Sequence, residues 1–283
     1  MKIPHKIGVF KRFLSEKTTM KYGYYFDGLF DLPFHKDKRH IRVWLPEDYD
    51  FDDPSKRFPV IYFSDGQNLV DRYLAAYGEW ELDRTSHKLK REGYSSFIAV
   101  GIDCPIIPDD RSNELNPPYP PNIPSARRRI NHPHADKYID YIADTLKPLI
   151  DKSFFTMKEK EATGIGGSSM GGIMAFYAYI YRPDVFGYSL SFSPAFFFYH
   201  KRNWFKILDK YDINPEKNGK LFLYVGGKDF EKVFVKRTLE TFHYLEDRGF
   251  DQENLGLIFD SREPHHEKAW AKYLPEALKL WLK

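Results

Sequence analysis

Seven short runs rich in β-branched and aromatic residues recur along this chain, and stretches of helical periodicity separate most of them. That alternation restricts the fold sharply. A strand that returns through a helical crossover pairs parallel to its predecessor, and the helices then cover both faces of the sheet. The runs lie at residues 40–45, 59–64, 96–102, 162–166, 188–193, 221–225 and 255–259. Val60-Ile61-Tyr62-Phe63 and Phe222-Leu223-Tyr224-Val225 are apolar without a break, as strands covered on both faces must be. Between the runs, Tyr138, Ile142, Leu146 and Leu149 recur at helical spacing, as do Val235, Leu239, Phe242 and Leu245. A last helix carries Trp270, Leu274, Leu278 and Trp281. Pro148 and Pro275 fall inside two of these patterns and predict kinks or early ends. The fold class is therefore α/β, with a mostly parallel central sheet.

At 283 residues the chain buries about three quarters of its unfolded surface. We expect one domain over residues 1–283, since α/β folds of this length are commonly single. Lys and Arg number 43 against 40 Asp and Glu, so no basic face points to nucleic acid. The single cysteine excludes an internal disulfide framework and any CxxC metal or redox motif. Neither a signal peptide nor a membrane span is expected, the longest apolar run being residues 173–181. The expectation is a cytoplasmic protein without metal or cofactor. Residues 105–124 hold seven prolines and no periodicity, so they read as a loop over one end of the sheet.

Chemistry enters at Gly167-Ser168-Ser169-Met170-Gly171, a G-x-S-x-G between a strand and a helix. In that setting the serine occupies a strained turn that lifts its hydroxyl above the sheet. Side chains two residues to either side would collide with neighbouring backbone, which favours glycine there. The helix that follows points N–H groups at any developing oxyanion. A phosphate loop fits less well, because Gly172-Ile173 replaces the Lys-Ser/Thr that grips phosphate and metal. A serine nucleophile needs a base and an orienting acid, in the chain order Ser, acid, His for this type of fold. Asp229, in Val225-Gly226-Gly227-Lys228-Asp229-Phe230, is the expected acid, with Glu231 as the fallback. His265 and His266 both follow the last strand, and order alone does not choose between them.

These residues resemble the esterase D-like branch of the α/β hydrolases, which also holds trilactone siderophore esterases and feruloyl or acetyl esterases. The resemblance rests on linked segments: Tyr62-Phe63-Ser64-Asp65-Gly66-Gln67-Asn68, Val100-Gly101-Ile102-Asp103, Leu146-Lys147-Pro148-Leu149-Ile150-Asp151, the Gly166–Gly172 elbow, Ser193-Pro194, and His265-His266-Glu267 followed by Trp270. It implies an α/β-hydrolase fold and a serine esterase acting through an acyl-enzyme on a small or aromatic/acyl ester. An acyltransferase on the same three residues is the alternative. Ser169 would be the nucleophile, Asp229 the acid and His265 the base. The N–H groups of Met170 and of the Gly66–Gln67 turn would form the oxyanion hole, with Gly66 supplying an unusual backbone angle. Arg111 and Glu114 match the family's Arg-x-x-Glu over the site, where they would touch substrate or pair with each other.

Weaker signals complete the reading. His132-Pro133-His134-Ala135-Asp136 suits a helix start better than a metal site, and Asp136 complements the helix dipole. Arg127-Arg128-Arg129 could greet an anionic substrate but reads better as a solvated charged face, and Cys104 reads as an inert buried thiol. Between Tyr188 and Phe205, 8 of 18 residues are aromatic, a density that calls for an explanation. Core packing with a sticky homodimer face is one. The other is an apolar wall for the acyl or aryl group, with Phe196 binding substrate.

Overall fold

The computed structural model describes residues 3–118 and 130–282. Arg127, Arg128, Arg129 and the end of the proline-rich stretch lie outside the described residues. Ten strands form one sheet: β1 (Lys6–Ile7), β2 (Phe10–Arg12), β3 (Tyr24–Phe30), β4 (Arg39–Leu45), β5 (Val60–Ser64), β6 (Ile98–Ile102), β7 (Thr163–Ser168), β8 (Tyr188–Phe192), β9 (Lys220–Gly226) and β10 (Leu255–Asp260). Their spatial order is β1-β2-β3-β4-β6-β5-β7-β8-β9-β10. From β6 to β10 every pairing is parallel, while β1 to β4 form an antiparallel flank that joins β6 antiparallel. The seven anticipated runs are β4 to β10. The flank β1–β3 was not anticipated. In β3 the polar Asp27 and the conformationally free Gly28 interrupt the apolar pattern, and pairing with β4 supplies the order that local propensity lacks.

The helices are α1 (Leu82–Arg91), α2 (Pro108–Glu114), α3 (Ala135–Tyr141), α4 (Lys147–Ser153), α5 (Met170–Tyr181), α6 (Lys201–Leu208), α7 (Pro215–Asn218), α8 (Lys232–Glu246) and α9 (Glu267–Trp281). Helices α1 and α9 pack on one face of the sheet over a core built on Trp44, Phe63, Phe192 and Tyr224. Helices α3, α4, α5, α6 and α8 contribute to the second core, around Tyr62, Ile165, Phe176 and Trp204. This two-sided burial is the reason for the unbroken apolar runs in β5 and β9. Pro148 acts as expected: a π-helical turn, Ile142–Leu146, precedes it and joins α3 to α4, widening the helix where the proline lacks an N–H. Pro275 does not end α9, which continues to Trp281. The stretch expected to be only loop contains α2, started by Pro108 at a position where a missing N–H costs nothing.

Candidate active site

The elbow forms where β7 ends. Ser169 has φ 58° and ψ −117°, a combination that L residues rarely adopt. It is pinned on both sides: its N–H donates to Phe192 O at 2.9 Å and its carbonyl accepts from Ala195 N–H at 3.0 Å. A Cβ on Gly167 would lie 2.6 Å from Gly171 O, and one on Gly171 would lie 2.2 Å from Ser64 Oγ. Gly167 therefore admits no side chain if the turn is to keep its shape, whereas at Gly171 the Ser64 hydroxyl would have to turn away. Helix α5 begins at the next residue, Met170, so the Met170 N–H has no acceptor within the helix.

A second turn, after β5, faces the first. The left-handed conformation falls on Asp65 (φ 55°), not on Gly66 as the sequence reading supposed. Glycine is needed at 66 for a different reason: a Cβ there would sit 2.4 Å from the backbone of Gly101 on β6. The Gln67 side chain is locked, its Oε1 accepting from Cys104 N–H at 3.0 Å and its Nε2 lying 3.2 Å from Cys104 Sγ. Burial pushes the Cys104 thiol above its ordinary pKa, which keeps it protonated.

The candidate histidines and carboxylates make different contacts. His265 Nδ1 makes a very short contact with Glu231 Oε2. His266 instead caps α9, its Nδ1 accepting from Lys268 N–H at 3.1 Å. Asp229, the expected acid, is exposed and does not contact His265. A 3-10 turn, Asp229–Glu231, rotates the chain so that Glu231 is the carboxylate that enters the protein, with none of its surface exposed. Its other oxygen accepts from Gly226 N–H at 2.9 Å and from the Ser193 hydroxyl. Ser193 Oγ in turn accepts from the Trp270 indole N–H at 2.9 Å. The His265 ring stacks on Phe234 at 4.5 Å and meets Trp270 edge-on at 5.1 Å. Ser193 and Trp270 were legible only as parts of motifs, without these roles.

Ser169, Met170, Gln67, Arg111 and His265 line one cleft of about 640 Å³. Arg111 and Glu114 do not pair with each other. Arg111 grips Asp65 through two hydrogen bonds, 2.7 and 2.6 Å, which ties α2 to the turn after β5. Glu114 is buried and takes a forked pair of hydrogen bonds from Arg39 on β4, 3.0 and 3.1 Å. The one-turn spacing suggested a local pair, but Arg111 finds its partner in the turn after β5 and Glu114 finds its own on β4. Phe196 is also corrected. It has none of its surface exposed and stacks on Trp204 at 4.5 Å and against Phe176 at 5.0 Å, away from the cleft. The aromatic cluster at Phe196 is core. His134 stands at the start of α3 with its Nδ1 on His132 O at 2.7 Å. No helix among the described residues is long and apolar enough to cross a membrane.

Comparison with known proteins adds a family. The family described as "Putative esterase" matches residues 34–280. The chain is 23% identical over 250 residues to the uncharacterized protein YbbA of Bacillus subtilis, covering 86% of this chain and 92% of that one. It is 29% identical over 151 residues to the siderophore enterobactin esterase of Emericella nidulans, over 51% of this chain and 48% of that protein. An IroE-like serine hydrolase from Shewanella oneidensis superposes with a TM-score of 0.71 at 17% identity, covering 90% of this chain and 79% of that one. The architecture is thus that of the α/β hydrolases.

Proposed function

The chain belongs to this esterase family and is a hydrolase acting on esters, and we propose that it works as a serine esterase through Ser169, His265 and Glu231. One observation carries the reading: a serine held in a strained turn shares a cleft with a histidine whose Nδ1 is anchored on a buried carboxylate. With its Nδ1 proton on Glu231, the imidazole presents an unprotonated Nε2 towards the cleft. Nε2 takes the Ser169 proton as Oγ attacks the ester carbonyl, and Glu231 stabilises the imidazolium that forms. The Met170 and Gln67 N–H groups would receive the oxyanion, at about 3–4 kcal/mol per donor. His265 then passes its proton to the leaving alcohol, and water, with His265 again as base, releases the acid from the acyl-enzyme. Siderophore esters are the substrate class its relatives suggest. Exposed Tyr77 and Ile106 at the cleft's rim suit a substrate with an apolar portion.

A fluorophosphonate probe tests the mechanism. It should label Ser169, and Ser169→Ala should abolish both labelling and ester turnover. Turnover that survived the substitution would overturn it. Adding an alcohol acceptor to the assay distinguishes hydrolysis, which accumulates acid, from acyl transfer, which accumulates a new ester.

A further inference from the structure

We propose that Glu267 is a specificity-determining residue, a carboxylate set in the cleft to receive a cationic ammonium group of the ester substrate. The inference rests on the serine-esterase reading and goes beyond it by naming a chemical class. Glu267 opens α9, and an acidic residue in a first turn complements the helix dipole. That effect needs no burial, yet the Glu267 side chain is only 7% exposed and lines the same cleft as Ser169 and His265. Apart from the residue's own backbone N–H, nothing among the described residues donates a hydrogen bond to its carboxylate. The nearest candidate, His266 Nδ1 at 3.8 Å, already accepts the Lys268 N–H and so carries no proton to give.

The other charges of the cleft cancel. Asp65 is neutralised by the two-point contact with Arg111, and among the described residues no further Asp, Glu, Lys or Arg lines the cavity. The described lining, with Glu267 ionised, therefore leaves one uncompensated carboxylate, on a largely buried group that burial pushes above the ordinary carboxylate pKa. A bound cation restores the stabilisation that burial removes, and an anionic substrate group would be repelled. Gly78 leaves the room for this side chain, since a Cβ there would lie 3.1 Å from Glu267 Cβ.

Two pairs of esters test the proposal, each matching a tertiary ammonium to its neutral isostere. They are dimethylaminoethyl butyrate with 3-methylbutyl butyrate, and ethyl 4-(dimethylamino)butanoate with ethyl 5-methylhexanoate. They place the charge on the alcohol and acyl sides respectively. At pH 7.5 the wild type should favour the ammonium ester in one pair by about tenfold in kcat/KM, carried by KM, as expected of a charge-assisted contact. Glu267→Gln should bring that ratio to about one. A general structural loss would lower both members of a pair together and leave the ratio standing. No ammonium preference in either pair, or a preference that survives Glu267→Gln, overturns the inference. Turnover of the neutral esters separates this failure from that of the esterase reading. If the wild type hydrolyses none of them, that reading falls first and takes the inference with it.

Discussion

Replacing Glu231 by Gln changes almost no volume and removes one charge, so its effect isolates what the carboxylate does. Oε1 accepts from Gly226 N–H at 2.9 Å and from the Ser193 hydroxyl, while Oε2 faces His265 Nδ1. A carboxamide can keep the first two bonds only with its oxygen on that side. Its NH2 then faces Nδ1 and must donate to it, which moves the imidazole proton to Nε2. The flipped amide is worse, because its NH2 would meet the Gly226 N–H. In the favoured orientation the base is lost, since a protonated Nε2 cannot accept from Ser169. A wrong tautomer in such a triad costs about 10⁴ in kcat, or about 5.4 kcal/mol at 1.36 kcal/mol per tenfold. Stability should fall by only about 1–2 kcal/mol, for one lost charge-assisted hydrogen bond.

Asp229→Asn is the control. Asp229 is exposed, and its φ of 53° is one that asparagine tolerates as well as aspartate. It should leave kcat within about twofold. The assay is steady-state hydrolysis of p-nitrophenyl butyrate, with the rate of fluorophosphonate labelling as a second measure and thermal melting to confirm folding. If Asp229→Asn lost orders of magnitude while Glu231→Gln stayed within tenfold, the assignment of the acid would be refuted.

Ser193→Ala removes the hydroxyl between the Trp270 indole and Glu231. It should cost about 1–3 kcal/mol of stability and lower kcat more than it raises KM, as thermal melts and steady-state kinetics on one preparation would show. Phe196→Ala should cost about 3–5 kcal/mol, as a buried aromatic truncated in a core, while chain-length preference across p-nitrophenyl esters is unchanged. A changed preference would return Phe196 to the cleft. Arg111→Lys keeps the charge but loses the two-point grip on Asp65. It should reduce kcat about tenfold by loosening the turn that carries the Gln67 N–H, and a rate equal to wild type would separate that ion pair from catalysis.

The parts legible in the sequence were those fixed by local pattern. Unbroken apolar runs marked the strands buried on both faces, and the glycine spacing around Ser169 marked a turn with no space for a Cβ at Gly167. Direction was less legible. Asp229 and Glu231 are two residues apart in one turn, and only the turn's geometry decides which carboxylate enters the protein. Arg111 and Glu114 share a helix, but their partners, Asp65 and Arg39, lie 46 and 75 residues away in sequence. Composition flagged the aromatics around Phe196, yet which side they face depends on how Trp204 and Phe176 pack against them.

Strain connects these observations. Among the described residues, five that are not glycine have positive φ: Asp65, Glu81, Ser169, Ser193 and Asp229. All but Glu81 follow the carboxyl ends of strands β5, β7, β8 and β9, which are mutual neighbours in the sheet. Each such conformation costs of order 1–3 kcal/mol and persists only where its surroundings over-determine it. Their roles differ. At Ser169 the strain holds the proposed nucleophile at the cleft, at Ser193 it sets a hydroxyl between Trp270 and Glu231, and at Asp65 it opens the turn gripped by Arg111. At Asp229 it turns the chain. That explains how Glu231, and not the residue in the acid's expected place, meets His265: aspartate tolerates the left-handed conformation that delivers Glu231, two residues later, beneath the imidazole.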